Sequence, residues 1–294
     1  MTSVFHLQAG RHASQNHVNI SRPRRMRARV GVSTMKKSLS FVMPLLVGAA
    51  LVAGCDKPEP AAEAAPPEPP RPLVLATDAC FPPYEYFAAD GSVAGIDIDI
   101  CRAIADKLGR PLEIVVTNFA AVLLAVQVGT ADIGASAITI IEERKMHLDF
   151  SIPYVTSGTV IVSRKGEEYK DAASAKGRRI GVQAGTTSDN YCTEELGVKP
   201  ERYYSTDDAS AALKAGKVDL IILDADPARN IVKADDSLVI SSDFLTMEEY
   251  GVAVGKGNQE LLSSVNAVID QLVKDRQIEV FAAAHAKSGA AEAR

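Results

Sequence analysis

Beyond residue 54, this 294-residue chain has no apolar run of membrane-spanning length. Histidine is nearly missing from the same region: only His147 and His285 lie there, and neither belongs to a metal-ligand or nucleophile–base motif. There is no cluster with metal-ligand spacing, no nucleophile elbow and no glycine-rich phosphate loop, so no metal and no cofactor is implied. Basic residues are short as well. With the eight that precede Cys55 set aside, 24 lysines and arginines face 37 acidic residues, a formal charge of −13. A chain of that sign lacks the basic face that nucleic acid demands. Cysteine numbers four, and assigning Cys55 to lipidation, as argued below, leaves Cys80, Cys101 and Cys192. An odd set forms no complete disulfide framework. A Cys80–Cys101 bridge is conceivable, but three separate, mostly buried thiols are the expected state. No internal repeat is visible, and a monomer is expected.

What is present begins with a leader. Residues 1–54 hold eight basic residues and no acidic one. Residues 35–54 read as a secretory signal: Met35-Lys36-Lys37, then an apolar run over 41–54. As a helix that run would reach only about 21 Å, too short to span a bilayer core. It ends in Val52-Ala53-Gly54-Cys55, which resembles a lipoprotein processing box, with the Cys55 thiol as the lipid acceptor. Residues 1–34 lack apolar periodicity and read as a non-native extension from an early start codon. Asp56, directly after the lipidated position, resembles a signal that keeps lipoproteins at the inner membrane; recovery of the protein in outer-membrane fractions would exclude that reading. Residues 55–72 form a tether. Seven of the seventeen residues after Cys55 are proline, so this stretch packs no core and runs extended and semi-rigid.

From Leu73 the pattern alternates between strand and helix. Strand signals fall at 73–77, 112–116 and 131–136, and helix signals at about 97–108 and 119–128. Ile100, Ile104 and Leu108 share one helical face, with Gly109 as the stop. This order implies a mainly parallel sheet covered by helices. The rhythm restarts after 160–164: strand 179–183, helices 187–196 and 207–215, and a doubly buried strand at 218–223. Asp226-Pro227 reads as an N-cap and first helical residue. Strand 250–254 and an amphipathic helix over 261–273 close the domain.

Chemistry gathers at the strand ends, where sheets of this kind place ligands. Ser136-Ala-Ile-Thr-Ile-Ile-Glu-Glu-Arg144 offers hydroxyls, free backbone groups and a guanidinium fork suited to a carboxylate. Thr187 follows Gly185-Thr186 and opens a helix, so its N–H is a donor that favours anions. With Asp226 assigned to the cap, Asp224 is left free at its strand end.

Five segments in order carry a resemblance to a family: Asp78-Ala-Cys-Phe-Pro-Pro-Tyr84, Gly95-Ile-Asp-Ile-Asp-Ile100, 136–144, Gly181-Val-Gln-Ala-Gly-Thr-Thr187 and Val218-Asp-Leu-Ile-Ile-Leu-Asp224. Together they resemble the extracellular solute-binding proteins of family 3, the polar amino-acid-binding proteins of bacterial ABC importers, over about 73–286. The resemblance implies an α/β, two-lobed type II periplasmic-binding fold, each lobe a mixed, mainly parallel sheet flanked by helices. Lobe I would be 73–156 plus 250–294 and lobe II 159–246, joined by two hinge strands near 157–160 and 247–251. It also implies roles. Arg144 takes an α-carboxylate with the N–H groups of Thr139 and Thr187. Asp224 takes the α-ammonium with the Thr139 hydroxyl and the Ala137 carbonyl. Phe81 and Phe119 sandwich the side chain, and Ser136 lines its pocket. Asp78 bears on specificity, binding a cationic or amide side chain or merely holding its loop, and Glu85 is a weaker candidate of the same kind. Ile141, Ala125 and Arg276 replace residues usual in the family (proline, proline and glycine), and the aromatic-rich C-terminus is missing.

The implied function is capture of a polar amino acid in the periplasm and delivery to an ABC permease of the inner membrane. A ligand-sensing domain on a membrane partner would carry the same cleft, and a kinase or transporter subunit recovered by pulldown would identify one. Secreted cyclohexadienyl dehydratases share the fold and much of the pattern, with Asp224 or Asp78 as general acid. Gly185-Thr186-Thr187 matches the binders, so no enzyme is expected.

Overall fold

A computed structural model describes residues 70–286. The extension, the signal peptide, Cys55, Asp56 and most of the tether lie outside the described residues, as does the chain from residue 287.

The chain starts with β1 (Leu73–Thr77), then a small antiparallel sheet of β2 (Cys80–Phe81), β3 (Glu85–Phe87) and β4 (Val93–Ala94). α1 (Ile96–Leu108) begins at Gly95, whose φ of 135° suits glycine, and a Cβ there would stand 2.0 Å from the Tyr84 carbonyl oxygen. Gly109, at φ 62°, ends the helix as a left-handed cap. β5 (Leu112–Val116), α2 (Phe119–Gln127), β6 (Ile133–Gly134), α3 (Glu142–Lys145) and β7 (Leu148–Phe150) follow. β8 (Val155–Arg164) leads to α4 (Ala172–Ala175), β9 (Ile180–Gln183), α5 (Thr187–Glu194), β10 (Glu201–Tyr203) and α6 (Thr206–Lys214). Then come β11 (Leu220–Asp224), α7 (Ala225–Ala234), β12 (Leu238–Ile240) and β13 (Thr246–Tyr250). β14 (Ala253–Gly255), α8 (Gln259–Lys274) and α9 (Gln277–His285) complete the order.

Two large sheets result. The first runs β5-β1-β6-β14-β7, with β1 parallel to β5 and β6, and β14 antiparallel to both its neighbours. Leu73, Leu75, Ile104, Val265 and Ile269 fill one face beneath α1 and α8, while Ala76, Val122, Val126 and Ile138 pack on the other beneath α2. Each buried leucine, isoleucine or valine among them contributes about 1.5–3 kcal/mol. The second sheet runs β10-β9-β11-β8-β12, with β13 also on β8. Its β9, β10 and β11 are parallel and β8 opposes β11, so the sheet is mixed.

β8 and β13 form one antiparallel ladder from Val155–Tyr250 to Thr159–Thr246, and through it the chain enters and leaves the second lobe. The strands press close at Gly158, where a Cβ would lie 2.5 Å from the Thr246 carbonyl oxygen.

Several expectations need correction. The strand read over 131–136 is only Ile133–Gly134. The small β2–β4 sheet went unread because its strands are two or three residues long, below any periodicity. Helix α7 starts at Ala225, so Asp226 and Pro227 are its second and third residues rather than cap and first residue. Proline is tolerated there because first-turn N–H groups have no intrahelical acceptor. Cys80, Cys101 and Cys192 are all free thiols, as expected.

Arg276, between α8 and α9, holds φ 55°, a left-handed conformation that costs a side-chain-bearing residue roughly 1–2 kcal/mol. This is the position where the resembled family usually has glycine. Arg276→Gly should therefore raise the melting temperature by about 2–4 °C, net of the entropy glycine adds to the unfolded chain. A lower melting temperature in calorimetry would contradict the assignment of strain there.

Candidate ligand-binding site

The structure brings all nine expected site residues, Asp78, Phe81, Phe119, Ser136, Ala137, Thr139, Arg144, Thr187 and Asp224, to the walls of one cavity between the two sheets. They arrive at or just after the C-terminal ends of β1, β6 and β11, from β2 and α3, and from the starts of α2 and α5. The lobes meet around the cavity through Gln183 Nε2 to Asp78 Oδ2 (2.8 Å), Asn190 Nδ2 to Glu143 Oε2 (3.0 Å) and Asn230 Nδ2 to the Pro82 carbonyl (2.8 Å).

One end of the cavity is cationic. Arg144 is 8% exposed and donates to the Thr139 carbonyl (2.9 Å) and the Gly185 carbonyl (3.2 Å). Its guanidinium lies 5.2 Å from the centroid of the Phe119 ring. Glu142 pairs with Lys145 and Glu143 with Asn190, so neither neighbouring glutamate neutralises Arg144. Burial lowers the Arg144 pKa to about 10 despite the opposing pull of Glu248 and Asp224. Two backbone donors accompany it. Thr139 faces Tyr250 in an isolated bridge whose bonds are made by Ile140 and Gly251, which leaves the Thr139 N–H directed away from that ladder. The cap of α5 is Thr186, whose side chain accepts from the Asp189 N–H; Thr187 is therefore the first helical residue, with an N–H that has no intrahelical acceptor.

The adjoining wall is anionic. Asp224 Oδ2 accepts the Tyr250 hydroxyl at 2.5 Å, and the side chain makes no capping bond although it occupies the cap position of α7. Asp226 instead takes the Tyr84 hydroxyl at 2.5 Å. Burial, and next the charge of Glu248, push Asp224 up to about 8. Ala137 sits at φ 46° with its N–H on Asp97 Oδ2 (2.8 Å).

The far end holds Asp78 and Glu85. Asp78 Oδ1 accepts the Cys80 N–H (3.0 Å) and Oδ2 accepts Gln183, so it holds its loop and bridges the lobes. Burial raises its pKa. The Ser136 hydroxyl is committed within the protein: it accepts the Asp78 N–H (3.2 Å) and donates to Glu85 Oε1 (3.0 Å). Glu85 is 0% exposed, and its Oε2 meets no protein donor. Burial, and then Asp97 and Asp78, raise the Glu85 pKa well above the carboxylate range. Asp97 is pushed up to about 6 by burial, while the Ala137 N–H and the Tyr154 hydroxyl (2.7 Å) support its charge. Burial thus favours the neutral form of Glu85, whose Oε2 has no hydrogen-bond partner among the described residues.

Sequence reasoning missed Gln183, Thr206 and Glu248. Gln183 ends β9 and lies inside a segment already singled out, so the strand-end rule would have found it. Glu248 was hidden in a run of two glutamates on a hinge strand, where strand alternation turns it and Tyr250 inward and Glu249 outward.

The model of the bacterial extracellular solute-binding proteins, family 3, matches residues 73–286. The chain is 32% identical over 214 residues to the L-arginine-binding protein of Pseudomonas aeruginosa, covering 69% of this chain and 83% of that one. It is 29% identical over 213 residues to the L-cystine-binding protein TcyJ of Escherichia coli, covering 71% and 80%. Among solved structures, an ancestral arginine-binding protein bound to arginine superposes with a TM-score of 0.68 at 35% identity, over 72% of this chain and 97% of that one. The architecture is the two-lobed type II periplasmic-binding fold. These relatives bind solutes and are not enzymes, which gives this chain a substrate-binding role.

Because the folded-state pKa of Asp224 lies near 8 and its ordinary value is 3.8, folding binds a proton between those values. The stability this group supplies is complete below about pH 4 and is lost as pH rises toward 8, by at most about 1.4 kcal/mol per pH unit. Thermal melts without ligand should fall from pH 5.5 to pH 8, and Asp224→Asn should flatten part of that slope. Parallel slopes in the two proteins would assign the proton elsewhere.

Proposed function

The chain belongs to the bacterial extracellular solute-binding proteins, family 3, and on that premise we propose that it captures an amino acid with a donor-bearing side chain and hands it to an ABC permease. One observation carries the choice of ligand: Arg144 is the only basic residue among those lining the cavity, and the charges that act on it are Glu248, Asp224 and Glu143, not Asp78 or Glu85. The α-carboxylate meets Arg144 and the N–H groups of Thr139 and Thr187. The α-ammonium meets Asp224, the Thr139 hydroxyl and the Ala137 carbonyl. The side chain runs past Phe81 and Phe119 toward Asp78 and Glu85, where a guanidinium, ammonium or amide finds acceptors and a carboxylate finds repulsion. Lobe I is 73–156 with 250–294, and lobe II is 159–246. Ligand stabilises the closed form because each lobe supplies part of the contacts. Cys55 carries a lipid that tethers the monomer to the periplasmic face of the inner membrane, where the permease lies.

A thermal-shift panel tests this reading on chain from Leu73 onward, refolded to remove carried ligand. It holds the twenty amino acids, ornithine, citrulline and several opines. A ligand at a thousand times its dissociation constant adds about 4 kcal/mol, roughly 10 °C at this size. Basic and amide amino acids should shift the melt and glutamate and aspartate should not; a shift with acidic amino acids alone would overturn the assignment of the far end. Arg144→Ala removes the partner of a buried carboxylate, about 3–5 kcal/mol, and should weaken binding roughly 100- to 4,000-fold. Undiminished affinity in that variant would refute the carboxylate site.

A further inference from the structure

Glu248 is a buried carboxyl on β13, one of the two crossing strands, and is 6% exposed. Its Oε2 accepts the hydroxyls of Thr139 (2.6 Å) and Thr187 (2.9 Å), and its Oε1 accepts that of Thr246 (3.2 Å). Thr246 in turn shares a 2.7 Å hydrogen bond with Thr159 on β8. Thr139 follows β6 of the first sheet, and Thr187 opens α5 beside the second. A single carboxylate thus gathers one hydroxyl from each lobe and anchors both to the paired hinge strands. The charged groups around it are Arg144 and Asp224.

A threonine hydroxyl has one proton and two lone pairs. Thr139 and Thr187 both give their protons to Glu248, so each can turn only lone pairs toward the cavity. Both residues line it. Hydroxyls fixed in that sense accept from an ammonium and have nothing to offer a carboxylate, which is left to Arg144 and the backbone N–H groups.

Resting on the ligand orientation proposed above, we infer that Glu248 is a positioning residue with two effects. It orients the Thr139 and Thr187 hydroxyls as acceptors, so that the site selects ligands with a free α-ammonium over N-acylated ones. It also latches the closed form, because the bond to Thr187 spans from the hinge strand and Thr139 to the other lobe's helix. No direct contact between Glu248 and the ligand is required.

Glu248→Met tests both effects in the full chain purified in detergent. Methionine keeps the length of the side chain but removes the carboxylate that accepts from Thr139 and Thr187, so both hydroxyl protons are freed to turn toward the cavity. Affinity for a bound amino acid should fall about 10- to 100-fold, and the preference for that amino acid over its N-acetyl derivative should shrink, with far-UV circular dichroism unchanged. Small-angle scattering without ligand should show a larger radius of gyration than the parent protein. An unchanged preference overturns the assignment of hydroxyl polarity. An unchanged radius overturns the latch, and that measurement needs no knowledge of the ligand, so its failure is separate from failure of the amino-acid reading.

Discussion

A guanidinium buried without a carboxylate against it is the condition around which this molecule is organised. Among the described residues Arg144 has no ion-pair partner; it touches two carbonyl oxygens and the face of Phe119. Asp224, on the wall of the same cavity, and Glu248, which anchors two of its threonines, are buried with only hydroxyl donors in hydrogen-bond contact. Arg144 lacks an ion pair, and burial opposes the ionisation of Asp224 until an opposite charge reaches it. A zwitterion laid between them satisfies both without any protein group moving into the middle. Burial of isolated charge is costly, and a fold tolerates it only where something else completes the pairing.

The backbone explains why these groups can be held so far from water. The strands that end at the cavity are central in their sheets, and their other sides are packed under helices. The lobes are joined by a single antiparallel ladder, tightened at Gly158. Beyond that ladder they also meet through Tyr84 to Asp226 and Asn230 to the Pro82 carbonyl.

Much of this was legible in the sequence, and the reasons differ from part to part. Helix α1 announced itself through Ile100, Ile104 and Gly109, and α8 through Leu261, Val265 and Val268, because one-sided burial leaves a period of 3.6. All nine candidate residues met in one cavity because strand ends and helix starts are where free backbone groups occur. Several of the misses share a cause. The role of Asp226, the pairing of β6 and the partners of Glu248 depend on contacts between segments 58 to more than 100 residues apart in the chain. Ser136 was read as a pocket wall, and it is also the link between the Asp78 loop and Glu85.

The head of the proposed ligand meets Arg144 and Asp224 together with main-chain groups at Thr139, Thr187 and Ala137, while its tail faces a handful of side chains around Asp78, Gln183 and Glu85. Main-chain groups persist through almost any substitution, so the grip common to all amino acids rests on only two charged side chains that must be kept. The tail end has no such insurance. A lineage can therefore rewrite what it imports by exchanging two or three side chains on a frame that keeps its general affinity, and preference becomes a cheaply inherited variable.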